Sequence, residues 1–130
     1  MTIPNSQQEL TIRTIAMPSD TNPAGDIFGG WVMSQMDLAA FVRSSEFTHG
    51  RTVTAAVKEM AFKKPVKVGD TIYIYTKVTR VGRTSVELFI EVWAGRASIN
   101  QVKVTEGSFV MVAVDDNNQP RQIGSLSLLP

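Results

Sequence analysis

From Gly30 to Phe47 the chain reads as one helix with almost no polar face. Trp31, Val32, Met33, Met36, Leu38, Ala39, Ala40, Phe41 and Val42 cover nearly its whole circumference. A helix that is apolar all round is a buried helix, and it needs cover on more than one side. Asp37 stands at its centre. Placing a carboxylate there costs several kcal/mol in lost hydration unless a partner offsets it. Any fold for this chain must wrap the rod and account for that acid.

The segments around the helix supply a wrapping. "ELTIRTIAM" alternates, with Leu10, Ile12 and Thr14 on one side, and reads as a strand. "PSDTNPAGD" is a dense run of turn formers leading into the helix, and Gly50 in "THGR" is a plausible stop. Everything beyond reads as β-structure. "RTVTAAVKEMAF" is rich in β-branched residues and ends at "KKPVKVGD". "DTIYIYTKVTRV" sets Ile72, Ile74 and Val78 against Tyr73, Tyr75 and Lys77. After a turn at "GR", "TSVELFIEVWAG" places Val86, Leu88, Ile90 and Val92 on one face. "NQVKVTEGSFVMVAVD" is a last long strand before the turn-rich "DDNNQP".

One long helix among five strands implies an α+β architecture in which a curved antiparallel sheet wraps the helix. A second subunit is a further candidate for cover. No linker, repeat or low-complexity segment interrupts the pattern, so residues 1–130 read as a single domain. Residues 1–8 and the tail from about 120 are expected to be less ordered.

Composition narrows the function. The chain has 130 residues, 43% hydrophobic and 19% charged, as in an ordinary globular protein. A net charge of +1 offers no broad field for nucleic acid, so an anionic ligand must be met by local cations. The absence of cysteine removes disulfides, thiolate metal sites and cysteine nucleophiles together. The N-terminus lacks a signal-peptide pattern and no apolar run reaches membrane-spanning length, so a cytoplasmic location is expected.

"MPSDTNPAGDIFGGWVMSQMD" resembles the signature of the hotdog-fold acyl-CoA thioesterases, closest to the bacterial YciA type. The likeness continues through "HGRTVTAAVKEMAFKKPVKVGD", "VGRTSVELFIEVW" and "FVMVAVD", covering Leu10 to about Arg121. It implies a five-stranded antiparallel sheet around a central helix, and hydrolysis of acyl-CoA to CoA and free acid. It also implies homo-oligomers: sheets paired edge to edge as dimers, sites built from both subunits, and trimers of dimers in the YciA type. No metal or redox cofactor takes part in such chemistry; coenzyme A belongs to the substrate.

The resemblance assigns roles residue by residue. Asp37 matches the helical acid, as general base toward water or as a nucleophile forming an anhydride. A carboxylate in an apolar wall has a tunable proton affinity, which suits a base. Its bland alternative is a structural acid hydrogen-bonded across a subunit contact. Asn22 matches the asparagine that orients water or the thioester, although an Asn before Pro23 is also ordinary loop chemistry. Gly29 and Gly30 open the helix, where free N–H groups can stabilise negative charge on the thioester oxygen; such a pair can equally be a tight turn. Lys63, Lys64, Arg83, Thr84 and Ser85 are candidates for the phosphates and arm of CoA, with solvated surface charge the open alternative for the three cations. For Lys67 and Arg80, solvated surface charge is the better reading. Phe28 and Trp31 read as packing, Asp26 as a turn residue, and Glu59 as a surface or interface residue.

His49, the sole histidine, cannot form a multi-histidine metal site, and the His–acid arrangement of hydratases on this fold is absent. Two departures from the family pattern stand out. Ala39 and Ala40 replace glycine after the helical acid, implying a narrower acyl pocket, and Ala61 replaces a polar residue between Met60 and Phe62. A non-catalytic acyl-CoA sensor is the alternative function; it would bind without turnover.

Overall fold

A computed structural model describes residues 8–96 and 100–124. The elements run β1 (Glu9–Ile15), a short 3-10 turn (Pro18–Asp20), α1 (Gly29–Thr48), β2 (Thr52–Phe62), β3 (Thr71–Val81), β4 (Ser85–Arg96) and β5 (Asn100–Ala113). The strands form one antiparallel sheet in the order β1-β3-β4-β5-β2. This is the expected hotdog arrangement, with the helix against one sheet face.

Strict alternation builds the core. Ile72, Ile74, Val78, Val86, Leu88, Ile90 and Val92 are fully buried and meet Met36, Ala39 and Ala40 of α1. Burying side chains of this size contributes about 1.5–3 kcal/mol each. In β1 the alternation fails at Thr11. A register shift between Leu10 and Ile12 leaves Leu10 exposed while Ile12 packs on the core.

The helix departs from the expectation of burial all round. Val32, Met36, Ala39, Ala40, Ser44 and Thr48 form a single buried stripe. Leu38 and Phe41 are 53% and 45% exposed, and Met33 and Val42 are exposed with them. Asp37 lies on this open side. One sheet face covers only one face of a rod, so the remaining apolar surface of α1 is open in this chain.

The edge strand β2 is open in the same way: Val53 to Glu59 are all exposed. It also carries two irregularities against β5, between Thr54 and Ala56 and between Lys58 and Ala61. At the second, Glu59 adopts the left-handed conformation with φ 58°.

The helix ends through His49, whose φ of 56° makes it the left-handed cap, rather than through a conformational need at Gly50. Gly50 serves space instead. A Cβ there would lie 2.5 Å from Nη2 of Arg121. That guanidinium donates to the Thr48 carbonyl and hydroxyl and to the Arg51 and Val114 carbonyls. Arg121 thereby places a cation over the carbonyl end of the helix dipole. The chain is still held at this point: Arg121 N donates to Ala113 O and Ile123 N to Arg83 O. Residues 1–7 and 125–130 lie outside the described residues.

Candidate active site

The turn-rich loop before α1 is organised by Asn22. Its side-chain oxygen accepts from Ala24 N at 3.0 Å and Asp26 N at 3.1 Å, and its own N–H donates to Asp26 O at 2.7 Å. The acceptor half of the amide is therefore committed to the loop. Among the described residues no partner is found for its NH2 group, which remains as a donor.

Phe28 precedes the helix with an extended backbone and gives no side-chain cap. The amides of Gly29 and Gly30 thus open the helix with their N–H groups directed away from its body. Gly29 lines a pocket of about 430 Å³ with Ile27, Val32, Phe62, Lys63, Lys64 and others. A Cβ on Gly29 would sit 3.4 Å from the Phe62 ring, so bulk here would compete with that ring for the pocket wall.

Lys63 and Lys64 share this wall because both backbone N–H groups turn onto Val104 O, at 2.8 and 3.3 Å. The Lys63 ammonium also lies 3.5 Å from the Glu106 carboxylate. The next loop is pinned by Asp70, which accepts from Lys67 N at 2.9 Å and from Arg96 Nε at 3.1 Å. Arg96 donates as well to the Pro65 carbonyl.

Asp37 is not in this pocket. Eight residues of helix separate it from Gly29, about 12 Å along the axis. Its carboxylate instead accepts a short hydrogen bond from the Thr54 hydroxyl on β2. Thr54 escaped the sequence reading because the contact depends on β2 returning alongside α1. Its only sequence signal is a hydroxyl at the start of the strand that follows the acid.

Arg83, Thr84 and Ser85 form the turn between β3 and β4. Gly82 N donates to Ser85 O at 2.7 Å, and Thr84 O accepts from Ala113 N at 2.8 Å. Ser85 pairs with Val112, whereas the Lys63 end of the sheet lies level with Lys103 and Trp93. Some eight strand residues intervene, roughly 26 Å. One chain therefore brings Gly29 together with Lys63 and Lys64, and Asp37 with Thr54. It does not bring Asp37 to the glycines, nor Arg83 to the lysines.

Of the departures from the family pattern, Ala39 and Ala40 are fully buried against the sheet. The carbonyl of Ala61 accepts from the Thr105 hydroxyl at 2.6 Å. Among the described residues no cluster of three or more His, Cys, Asp or Glu could hold a metal ion, and no helix is long and apolar enough to cross a membrane.

Residues 24–98 match the family described as the thioesterase superfamily. The acyl-CoA thioester hydrolase YciA of Escherichia coli is 46% identical over 121 residues, which span 90% of this chain and 92% of that one. A hexameric thioesterase from Yersinia pestis superposes with a TM-score of 0.87 at 46% identity, over 95% of this chain and 99% of that one. A hexameric hotdog-fold thioesterase of Campylobacter jejuni does so with a TM-score of 0.85 at 40% identity, over 89% and 90%. With the family match covering the end of the loop, the helix and strands β2 to β4, the chain belongs to the thioesterase superfamily, among the hotdog-fold acyl-CoA thioester hydrolases of the YciA type.

Proposed function

We propose that this chain hydrolyses acyl-CoA to coenzyme A and a carboxylic acid, at sites shared between two copies of itself. The observation that carries the reading is the separation of Asp37 from the helix start. A base must reach water within hydrogen-bonding distance of the carbon whose oxygen the amides hold. Twelve ångströms of helix between the two groups favour a division of these duties between two copies.

A twofold pairing of β2 with its own copy supports the shared site. The strand runs from its Thr52 end, where Thr54 meets Asp37 and Ala113, paired with Thr52, donates to Thr84 O, to Phe62, which lines the pocket with Gly29 and the two lysines. Antiparallel pairing lays the first end of one copy against the second end of the other. The exposed Val53, Val57, Leu38, Phe41 and Val42 would be covered by the same contact. Hexameric relatives favour further assembly into a trimer of such dimers.

In this reading Asp37 of one subunit takes a proton as water adds its oxygen to the thioester carbon. Gly29, Gly30 and the Asn22 amide NH2 of the partner subunit stabilise the oxyanion. Collapse of the tetrahedral adduct breaks the C–S bond, and the proton held on Asp37 passes to the departing thiolate. Attack by the carboxylate itself, giving an anhydride that water then opens, uses the same placement. Lys63, Lys64, Arg83, Thr84 and Ser85 receive the phosphates and the arm of CoA.

Release of free thiol from a panel of acyl-CoA chain lengths tests the proposal. Asp37→Asn is expected to lower kcat/KM by about 10²–10⁴-fold while CoA binding persists. Wild-type turnover by that variant would remove the base assignment. Tight acyl-CoA binding without thiol release by the wild-type chain would identify a sensor instead.

A further inference from the structure

The lysine pair is aimed by an irregular stretch of β5. Val92 pairs with Thr105 while Trp93 pairs with Lys103, so Val104 is an extra residue in the ladder. The bulge turns Val104 into the pocket and frees its carbonyl to take both lysine N–H groups. Its flanks complete the scaffold. Thr105 donates to the Ala61 carbonyl, and Glu106 reaches the Lys63 ammonium.

A carboxylate beside a phosphate-binding cation would normally weaken it. Here Lys103 intervenes. Its ammonium lies 2.7 Å from Glu106 and 2.6 Å from Glu91, and 5.6 Å from the centre of the Trp93 ring. The four groups Glu91, Lys103, Glu106 and Lys63 are thus charge-balanced, leaving Lys64 as surplus positive charge on the pocket wall. Without Lys103, the cross-strand neighbours Glu91 and Glu106 would share no cation, and Glu106 would have Lys63 alone.

We propose that Lys103, acting through Glu106, is a positioning residue for coenzyme A: it lets Glu106 hold Lys63 in place without turning the pocket wall repulsive to phosphate. The inference rests on the reading of Lys63 and Lys64 as cations for the CoA phosphates. Lys103 itself need touch no part of the substrate.

The test compares acyl-CoA with the same acyl group on pantetheine, which carries no phosphate, using the full-length oligomeric protein. Lys103→Met is expected to raise KM for acyl-CoA about fivefold at low salt, with kcat nearly unchanged and acyl-pantetheine unaffected. The effect should shrink at high ionic strength. Lys103→Arg should behave as wild type, and adding Glu106→Gln to Lys103→Met should recover only part of the lost affinity, because it removes the orphaned carboxylate but also the group that holds Lys63. Equal changes on both substrates, or none on either, would overturn the proposal by reducing Lys103 to a structural residue or a bystander. Lys63→Ala and Lys64→Ala separate the two levels of the argument. If they raise KM selectively for acyl-CoA and Lys103→Met does not, the positioning role is wrong. If they leave the two substrates equally well used, the phosphate reading of the lysines falls, and the positioning role with it.

Discussion

The Thr54 hydroxyl donates to Oδ1 of Asp37, joining the first residues of an edge strand to the middle of the helix across 17 positions of sequence. The bond fixes one carboxylate oxygen and leaves the other outside it. It also selects one rotamer of a side chain that stands on an open helix face.

Thr54→Val keeps the shape of the side chain and removes that donor. We expect kcat to fall about tenfold with little change in KM, because an unanchored carboxylate spends less time aimed at the reacting carbon. Thr54→Ser should retain most of the activity. Steady-state kinetics on one acyl-CoA decide it: an unchanged kcat in Thr54→Val would make the hydrogen bond irrelevant to turnover.

The helix terminus offers a stability test. Gly50→Ala pushes a methyl group to within 2.5 Å of the Arg121 guanidinium, whose hydrogen bonds close the end of α1. A loss of about 1–2 kcal/mol in urea unfolding is expected, roughly the value of one or two such bonds. In an Arg121→Ala background the same substitution should cost far less, giving a coupling energy that a double-mutant cycle measures directly.

Glu59 holds a backbone conformation that disfavours any side chain. Glu59→Gly should therefore stabilise the fold by about 0.5–1 kcal/mol, with Glu59→Ala giving no such gain. Denaturant midpoints of the two variants check this. Equal midpoints would mean that the bulge in β2 relaxes at no cost.

Much of this was legible in the sequence, and the gaps have physical causes. Alternation in "TIYIY" and "VELFIEV" marks strands whose inner faces are buried, because one sheet face rests on one helix. The glycine pair and the acid of α1 were visible as a motif. The exposure of Asp37 was not, since apolar residues all round a helix do not say whether its own sheet or another chain covers them. Nor could spacing reveal Thr54, which meets Asp37 only through the return of β2. Gly50 looked like a helix stop, but the left-handed turn falls on His49, and the glycine makes room for Arg121, which is distant in sequence.

The Glu91–Lys103–Glu106 cluster predicts a pH response. A hydrogen bond from Lys103 holds Glu106 below the ordinary value of 4.5. Burial of Glu91 works in the opposite direction, but its bonds from Lys103 and Gln8 outweigh it and lower it too. Bonds to Glu106 and Glu91 raise Lys103 above 10.5. A lowered carboxylate stabilises the fold above its unfolded pKa, and that contribution fades as pH falls through the folded value. A raised ammonium stabilises below its unfolded pKa, and that contribution fades as pH climbs through the folded value. The cluster therefore contributes fully between about pH 5 and pH 10. Thermal melts of Lys103→Met should show a shallower loss of stability below pH 5 than the wild type; parallel acid limbs would contradict the pairing.

The shared site makes the most demanding prediction. If Asp37 works opposite the Asn22 loop of its neighbour, Asn22→Ala and Asp37→Asn disable different halves of the same site. Each variant alone should be nearly inactive. A mixed dimer then carries one site with both defects and one with neither, so random co-assembly should restore about a quarter of the wild-type sites. KM in the mixture should match the wild type, because the restored sites are intact rather than weakened. Co-expression with two different affinity tags isolates the mixed oligomers for assay. Two inactive variants that stay inactive together, while still co-assembling, would place Asn22 and Asp37 in one chain's site and end the case for catalysis across the β2 edge.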